Sequence, residues 1–193
     1  MRRIISREAE EKKRRKNQLI IGMILIVVMV FSVLGYSLSS FGNNNSSGTI
    51  INYNGFKFTQ SSNFWNANVG SYSFSFKYNP TQTEKINSVL NSLESYNGKP
   101  LYISSADSEA EIEIYKNLFS QNQIVQRIQE ACLDGQTCAG DLPIKNCDNN
   151  FIIIKEGDNN SITQEKNCVF IEGNKGNLTE LSDSFLFKIN GIQ

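Results

Sequence analysis

Residues 50–59 read IINYNGFKFT, and this stretch begins the folded part of the chain with a β-hairpin. Residues 50–53 and 56–59 are rich in strand-forming side chains, and they flank Asn54 and Gly55. Asn-Gly is the strongest short hairpin signal because both positions of the tight turn need a positive φ. The stretch therefore predicts two antiparallel strands.

A second hairpin is predicted directly downstream. An aromatic side chain stands at every second position of the next polar run: Tyr72, Phe74, Phe76 and Tyr78. This alternation is typical of a strand with one buried face, and residues 64–69 predict its partner, with a turn near Gly70. The aromatic row could stack on sugars or bases, but we favour a sheet face packed on the core.

Two capping boxes, in which Thr or Ser is followed three residues later by Glu, predict the starts of two helices. The first is Thr81 with Glu84, and the second is Ser108 with Glu111. Apolar residues at helical spacing follow each box: Ile86, Val89, Leu90 and Leu93 after the first, and Ile112, Tyr115, Leu118 and Phe119 after the second. We expect these residues to form the buried faces of the two helices.

The segment between the second helix and the first cysteine is ambiguous. Residues 123–133 fit a helix or a returning strand, and we favour the strand because residues 101–105 and the helix after them would then complete a β-α-β unit. Residues 151–154 predict a buried central strand, and residues 168–171 predict its partner across a turn at residues 157–160.

A last helix is predicted near residues 179–190. It would bury Leu181, Phe185 and Ile189, with Gly191 just past its end.

The predicted fold class is α+β, with a mixed α/β domain as the alternative. It contains an aromatic β-meander, a mixed sheet and about three helices.

All four cysteines lie in this part of the chain: Cys132, Cys138, Cys147 and Cys168. If this part of the chain is exported, as the segment before it predicts below, an even number of cysteines favours disulfides. A zinc site is disfavoured because the cysteines form no closely spaced ligand pair and the chain has no histidine. Four cysteines allow three pairings. If residues 147–168 form an antiparallel hairpin centred on the predicted turn, Cys147 faces Cys168. Cys132 and Cys138 would then close a small loop at Asp134-Gly135.

The chain has no histidine, which excludes Ser-His-Asp, Cys-His and His-bearing metal sites. The remaining candidates for chemistry are carboxylates in two clusters: Asp107, Glu109, Glu111 and Glu113, and Asp134, Asp141 and Asp148. We interpret both clusters as solvated surface. No phosphate-binding loop or EF-hand order occurs, so no catalytic residue, metal ligand or cofactor is predicted.

Residues 19–38 read LIIGMILIVVMVFSVLGYSL and contain no charged side chain. About 20 helical residues span the ~30 Å hydrocarbon core of a bilayer. We therefore predict a single-pass signal-anchor helix over residues 18–40. The alternative is a cleaved secretory signal, whose apolar region is shorter, about 7–15 residues, and is followed by a small-residue cleavage motif.

Basic residues set the expected topology. Residues 1–17 carry eight basic and three acidic side chains, a formal charge of +5, and positive flanks stay cytoplasmic. The N-terminus should be cytoplasmic and the C-terminal part extracytoplasmic at the cell membrane. The arm could instead bind nucleic acid or anionic lipid, but its topological role suffices to explain its charge.

The exported part is acidic. Residues 41–193 carry 11 basic and 16 acidic side chains, a formal charge of −5, which argues against nucleic-acid binding. Residues 41–49 are rich in Gly, Ser and Asn and predict a flexible stalk before one domain at residues 50–193. Four N-glycosylation triplets fall on this side: Asn44, Asn45, Asn159 and Asn177.

The combination resembles uncharacterised small single-pass membrane-anchored proteins of archaea with reduced genomes. The residues that carry the resemblance are the basic arm, the anchor, YNGFKF, the cysteine stretches ACLDGQTC and LPIKNCDNN, and CVFIEG before the last helix. This resemblance implies a membrane-tethered surface domain and no particular activity.

We expect a non-enzymatic interaction or assembly module, with the lipid bilayer and other membrane or cell-surface proteins as partners. One alternative is a carboxylate-dependent enzyme acting on cell-surface glycans, which needs two acids facing each other across a cleft. Another is a ligand-binding sensor, although the cytoplasmic arm is short for an output domain.

Overall fold

The computed structural model describes residues 15–30, 48–138 and 140–193. Residues 15–30 are helical (α1), and their apolar side chains from Leu19 to Val30 are exposed. The remainder of the predicted anchor, residues 31–40, lies outside the described residues, as do most of the predicted stalk and basic arm. Within the described ranges, no helix is long and apolar enough to cross a membrane.

Residues Gly48–Gln193 form one compact α+β unit. It starts with a four-stranded antiparallel meander in the order β1-β2-β3-β4: β1 Ile50–Tyr53, β2 Phe56–Ser61, β3 Phe64–Val69 and β4 Tyr72–Phe76. Asn54 and Gly55 both have positive φ, as the predicted turn requires. Phe74 and Phe76 are fully buried, so the aromatic row is a core face, as predicted.

The second sheet is mixed and has the order β10-β11-β9-β5-β6. Its strands are β5 Pro100–Ser105, β6 Arg127–Glu130, β9 Asn150–Glu156, β10 Ser161–Glu165 and β11 Cys168–Gly173. Strand β6 pairs parallel to β5, so residues 123–133 contain the returning strand of a β-α-β unit. This confirms the preference for strand over helix in that segment.

Strands β9 and β11 are parallel, with Phe151 opposite Cys168, so the predicted antiparallel hairpin is wrong. The chain leaves β9, crosses the end of β11 and forms the outer strand β10, which then turns back into β11. The true hairpin turns at Lys166, which has a φ of 52°. An extra strand between two apolar runs is easily missed, because Ser161–Glu165 is mostly polar and lies at the edge.

Both predicted cysteine pairs are present in the structure. Cys147 bonds to Cys168 because parallel strands start at the same end of a sheet, and Cys147 precedes β9 while Cys168 begins β11. Cys132 bonds to Cys138 around a turn in which Gln136 N–H donates to Leu133 C=O (3.0 Å) and Gly135 has a positive φ. A short parallel pair, β7 Cys132–Leu133 and β8 Ile144–Lys145, adjoins this loop.

The helix predicted after Thr81 does not form. Asn79 Oδ1 accepts hydrogen bonds from both Thr81 N–H (2.9 Å) and Thr81 Oγ1–H (2.6 Å), which removes the threonine as a cap. Residues 84–92 are irregular and run beside β10, where Asn91 N–H donates to Gln164 Oε1 (2.8 Å). Val89 is consequently 92% exposed, and only a short 3₁₀ turn at Leu93–Ser95 follows.

Helix α2 spans Ser108–Tyr115 and is capped by Asp107, whose Oδ1 accepts from Ala110 N–H (2.8 Å), one residue before the predicted cap. It continues into a π-helical turn at Lys116–Ser120. Ile112 and Tyr115, predicted to be buried, are exposed. Leu118 is buried, as predicted, and the rest of the buried face is Ala110, Glu113, Ile114 and Asn117.

Helix α3, Leu178–Ile189, is buried along most of its length and packs on both sheets. The Phe187 ring lies 4.5 Å from that of Phe76 in the meander, measured between centroids. On its other side α3 contacts β11 and α2. As predicted, Leu181, Phe185 and Ile189 are buried, and Gly191 has a positive φ just past the helix end.

Candidate functional site

The two predicted acidic clusters have different environments. Asp134, Asp141 and Asp148 are exposed, as expected of solvated surface. In the other cluster Glu109 is exposed, but Glu113 is only 4% exposed, so the prediction of a solvated flank is wrong for that residue. Glu113 is buried because the face of α2 that packs against α3 is not the apolar face that the sequence indicates.

A polar junction joins the outer edge of the meander to the end of α2. The fully buried side chain of Asn117 accepts from Ser75 N–H through Oδ1 (2.8 Å) and donates to Ser75 C=O through Nδ2 (2.9 Å). Asn122 makes the same two bonds to Ser73, at 3.0 and 2.9 Å. These two amides take the place of a neighbouring strand along β4.

The π-helical turn explains how two residues five positions apart reach the same strand. Gln121 N–H donates to Lys116 C=O (3.0 Å), an i→i+5 bond that widens the turn. In a regular α-helix, residues five apart point in different directions, because one turn takes about 3.6 residues. The wider turn brings Asn117 and Asn122 onto one face, opposite Ser75 and Ser73.

Beneath this junction lie two carboxyl groups and one lysine. Lys116 Nζ contacts both oxygens of Glu113, at 2.9 and 2.8 Å. Asp183 of α3 has no exposed surface, and its Oδ2 accepts from Tyr78 N–H (2.8 Å). The Glu113 side chain also contacts Asp183 directly, so the group couples α2, α3 and the chain leaving β4.

The pKa of Asp183 is raised in the folded chain. Burial, with the Glu113 charge as the next cause, raises the pKa of Asp183 well above its ordinary value, and the Tyr78 N–H and Lys116 only partly oppose this. Asp183 Oδ1 meets no protein donor, since two facing carboxylates offer none until one is protonated. A proton on Asp183 would give Oδ1 a hydrogen bond to donate to Glu113.

A surface cleft opens over this group, and we call it the Phe64 cleft. It encloses about 290 Å³ and is lined by Asn63, Phe64, Lys77, Glu109, Ile112, Glu113 and Thr179. Phe64 is 40% exposed and Ile112 is 58% exposed, with Tyr115 one helical turn further on at 44%. The cleft thus presents a partly apolar surface beside charged groups.

The charged groups of the Phe64 cleft are already paired. Lys77 Nζ lies 2.5 Å from Glu109 Oε2, and Lys116, which holds Glu113, also places its ammonium 4.6 Å from the Phe64 ring centroid. Both acids of the cleft therefore have lysine partners, and Asp183 cannot touch a ligand. The arrangement can bind a side chain noncovalently, at an apolar surface with an ion-paired rim.

Two of the four predicted glycosylation triplets lie within the described residues. Asn159 is exposed in the loop between β9 and β10, whereas Asn177 is half-buried and its Nδ2 donates to Asn160 Oδ1 (3.3 Å). Asn44 and Asn45 lie outside the described residues. Use of these triplets stays a prediction. Within the described ranges, no three acidic or cysteine side chains converge as metal ligands.

Asp183, Asn117 and Asn122 were not predicted from the sequence as members of a site. One signal was available for Asp183, because an aspartate two residues from both Leu181 and Phe185 lies inside a helix that buries its apolar neighbours. The asparagines carried no comparable signal, since their partners are backbone groups of a distant strand.

Comparison of the chain with protein-family models, with curated proteins and with solved structures gives no match. The likeness to small archaeal membrane proteins therefore stays a prediction from the sequence.

Proposed function

We propose that this protein is a membrane-tethered extracytoplasmic interaction module that binds another membrane or cell-surface protein at the Phe64 cleft. The exposed apolar surface of Phe64 and Ile112 carries the proposal, because large apolar side chains grouped around a cleft are typical of binding surfaces. A cleft of about 290 Å³ has room for one large side chain of a partner.

Two observations support the tether and its orientation. The apolar side chains of residues 19–30 are exposed along α1, and the uncharged sequence continues to residue 38. A lipid bilayer is the environment that would cover such a surface without a protein partner. The two disulfides fit an extracellular or exported domain, which agrees with a basic arm retained on the cytoplasmic side.

Binding is favoured over catalysis because of how the acids are held. A carboxylate enzyme needs one acid free to donate a proton to a substrate and a second acid across the cleft. Glu109 and Glu113 are instead each paired with a lysine, and Asp183 is inaccessible. We therefore assign these acids to the folding of the surface rather than to chemistry on a ligand.

Photo-crosslinking in the native membrane tests the proposal. A benzophenone amino acid replaces Ile112 in the full chain, and the matched control places it at Val89, which is also exposed and apolar but lies outside the cleft. We expect a discrete adduct with one membrane or surface protein from position 112 and not from position 89.

The specificity of that adduct is tested with Phe64→Ala in the same chain. Removing the ring takes away the largest exposed apolar group of the cleft, so the adduct yield should fall about tenfold or more. Equal adducts from both positions, or an adduct that survives Phe64→Ala unchanged, would show that the cleft is not the binding surface. An adduct between two copies of this chain would contradict the proposal that the partner is a different protein.

A further inference from the structure

A second group of charged residues lies on the mixed sheet rather than on the meander. Residues 48–193 carry 11 basic side chains, and salt bridges among the described residues engage five of them. The six without a carboxylate partner there are Lys57, Lys85, Lys99, Arg127, Lys145 and Lys188. Three of these six, Lys99, Arg127 and Lys145, lie around one tyrosine of β5.

That tyrosine is Tyr102, which is 5% exposed and packs on Phe151. Arg127 Nη2 donates to the Tyr102 hydroxyl (3.3 Å), and Lys145 Nζ lies 4.8 Å from the centroid of the ring. Arg127 lies at the start of β6, where Pro100 is its parallel partner, and Lys145 ends β8. Strands β6 and β8 thus each bring one cation into contact with the phenol side chain of Tyr102 on β5.

The side chains of this group have hydrogen-bond donors left to offer, but few acceptors. The Tyr102 oxygen accepts from Arg127, so its O–H proton is left to donate to something else. Arg127 is largely exposed and is the only arginine after residue 15, and a guanidinium has donors but no acceptor. The hydrogen bond from Arg127, opposed by burial and helped by Lys145, lowers the pKa of Tyr102.

A cleft of about 340 Å³ adjoins the tyrosine. It is lined by Lys99, Pro100, Tyr102, Asp148, Asn149, Asn150 and Asn167. Asp148 is the one acid of this lining, and its carboxylate is engaged by Lys166 (3.4 Å) and by Asn146 Nδ2 (3.1 Å). Lys99 therefore adds a third cation to the same surface without a neutralising partner in the described residues.

We propose that Arg127, Lys145 and the Tyr102 hydroxyl form a binding site for an oxyanion, a carboxylate, sulfate or phosphate group. In a domain with a formal charge of −5, three cations gather around Tyr102, and the one acid of the adjoining cleft, Asp148, is already engaged by Lys166. An oxyanion would accept from the guanidinium, from the ammonium and from the phenol O–H, which matches the three donors present. The site is separate from the Phe64 cleft, and it stands whether or not that cleft binds a protein.

Anion-dependent unfolding of the full chain in uncharged detergent tests this site. Sulfate, phosphate or acetate replaces chloride at constant ionic strength, and the melting temperature is followed by near-ultraviolet circular dichroism. A ligand that binds only the folded state raises the melting temperature along a saturable curve. Comparison of the three salts tells which oxyanion chemistry the site prefers.

Three variants decide whether the effect belongs to this site. Arg127→Gln and Lys145→Gln should each raise the half-saturating anion concentration about tenfold, because each removes one charge-assisted donor. Lys57→Gln removes an equal charge from an exposed position on the meander and should leave the curve unchanged. A saturable curve with this pattern supports the proposal. It is overturned if none of the three anions gives a saturable rise, or if Lys57→Gln weakens the response as much as Arg127→Gln does.

Discussion

In water an aspartate side chain is charged at neutral pH, but Asp183 lies where that charge has almost no solvation. Its folded-state pKa is raised, first by burial and then by Glu113, so between the unfolded and folded pKa values the folded chain binds more protons than the unfolded chain. The stabilisation that this proton gives is fully present below about pH 4, the ordinary range of aspartate, and is lost as the pH rises through the raised pKa.

The first prediction is that Asp183→Asn removes part of this pH dependence. The amide keeps an acceptor for Tyr78 N–H and supplies a permanent donor toward Glu113. Measured by denaturant unfolding from pH 4 to 9, the free energy of unfolding of the wild type should fall with pH, by up to about 1.4 kcal/mol per unit while the one proton is lost. The variant should lack that decline and be the more stable of the two at pH 8.

Glu109→Gln is the matched control, because Glu109 is an exposed acid of the same cleft. Burial also raises the pKa values of Glu111 and Glu180, but both groups are present in all three proteins, so the difference between curves isolates Asp183. Parallel curves for the wild type and Asp183→Asn would mean that Asp183 is charged in the folded chain.

Residue patterns predict burial well when the side chain is apolar and poorly when it is not. Phe74, Phe76 and Phe185 were predicted as core, and each is fully buried. Glu113 was predicted as part of a solvated helix flank, because burying a carboxylate is costly. Its buried neighbour Asp183 is 70 positions away in the sequence. A buried acid becomes predictable only once the fold brings its partner close.

At the scale of elements, β4 poses a problem of unpaired backbone groups. It is the outer strand of the meander, so the N–H and C=O groups of Ser73 and Ser75 have no neighbouring strand. The amides of Asn117 and Asn122 satisfy them. This edge is therefore closed to pairing with another strand.

The second prediction follows from the different exposure of these two pairs. Asn117→Ala leaves both backbone groups of buried Ser75 without partners, so it should lower the free energy of unfolding by about 2–4 kcal/mol. Asn122→Ala should cost less than about 1 kcal/mol, because Ser73 is exposed and water replaces the amide. Urea unfolding measures both, and equal losses would contradict this account of the edge.

The third prediction compares the two disulfides. Cys168→Ser should lower the melting temperature more than Cys138→Ser, because the bridges span 21 and 6 residues. On the chain-entropy account this difference alone is worth about 1 kcal/mol. Cys168 is also fully buried at the start of β11. Calorimetry of the two variants checks the order, and the reverse order would place the more important bridge in the surface loop.

Helices and strands were predicted correctly where the local sequence signal agreed with the contacts that the segment makes in the fold. Asn54-Gly55 turns the first hairpin, and Gly191 ends α3, because both positions need a positive φ that the residue tolerates. The capping box at Thr81 failed because Asn79 competes for the same hydroxyl. The relation of β9 to β11 could not be read from spacing, since the pairing of two strands depends on where the chain between them goes.

On the scale of the whole molecule, the zero formal charge hides two opposite regions. Residues 1–17 have a formal charge of +5 and residues 41–193 have −5, on either side of the apolar segment. A positive flank resists transfer across the membrane, so this distribution favours a cytoplasmic N-terminus and an exported domain. The tether and the direction of insertion are parts of our proposal that can be measured without knowing a partner.

The fourth prediction is therefore one of sidedness. All four native cysteines are in disulfides, so a single new cysteine is the one free thiol of the chain. In intact cells, an impermeant maleimide should label Ser46→Cys and should leave Ser6→Cys unlabelled until the membrane is permeabilised. Labelling at position 6 alone would mean that the N-terminus is outside and the domain inside, the opposite of the predicted orientation. Labelling of neither position in intact cells, but of both after lysis, would place the domain inside the cell, where the two disulfides would have to persist against a reducing cytosol.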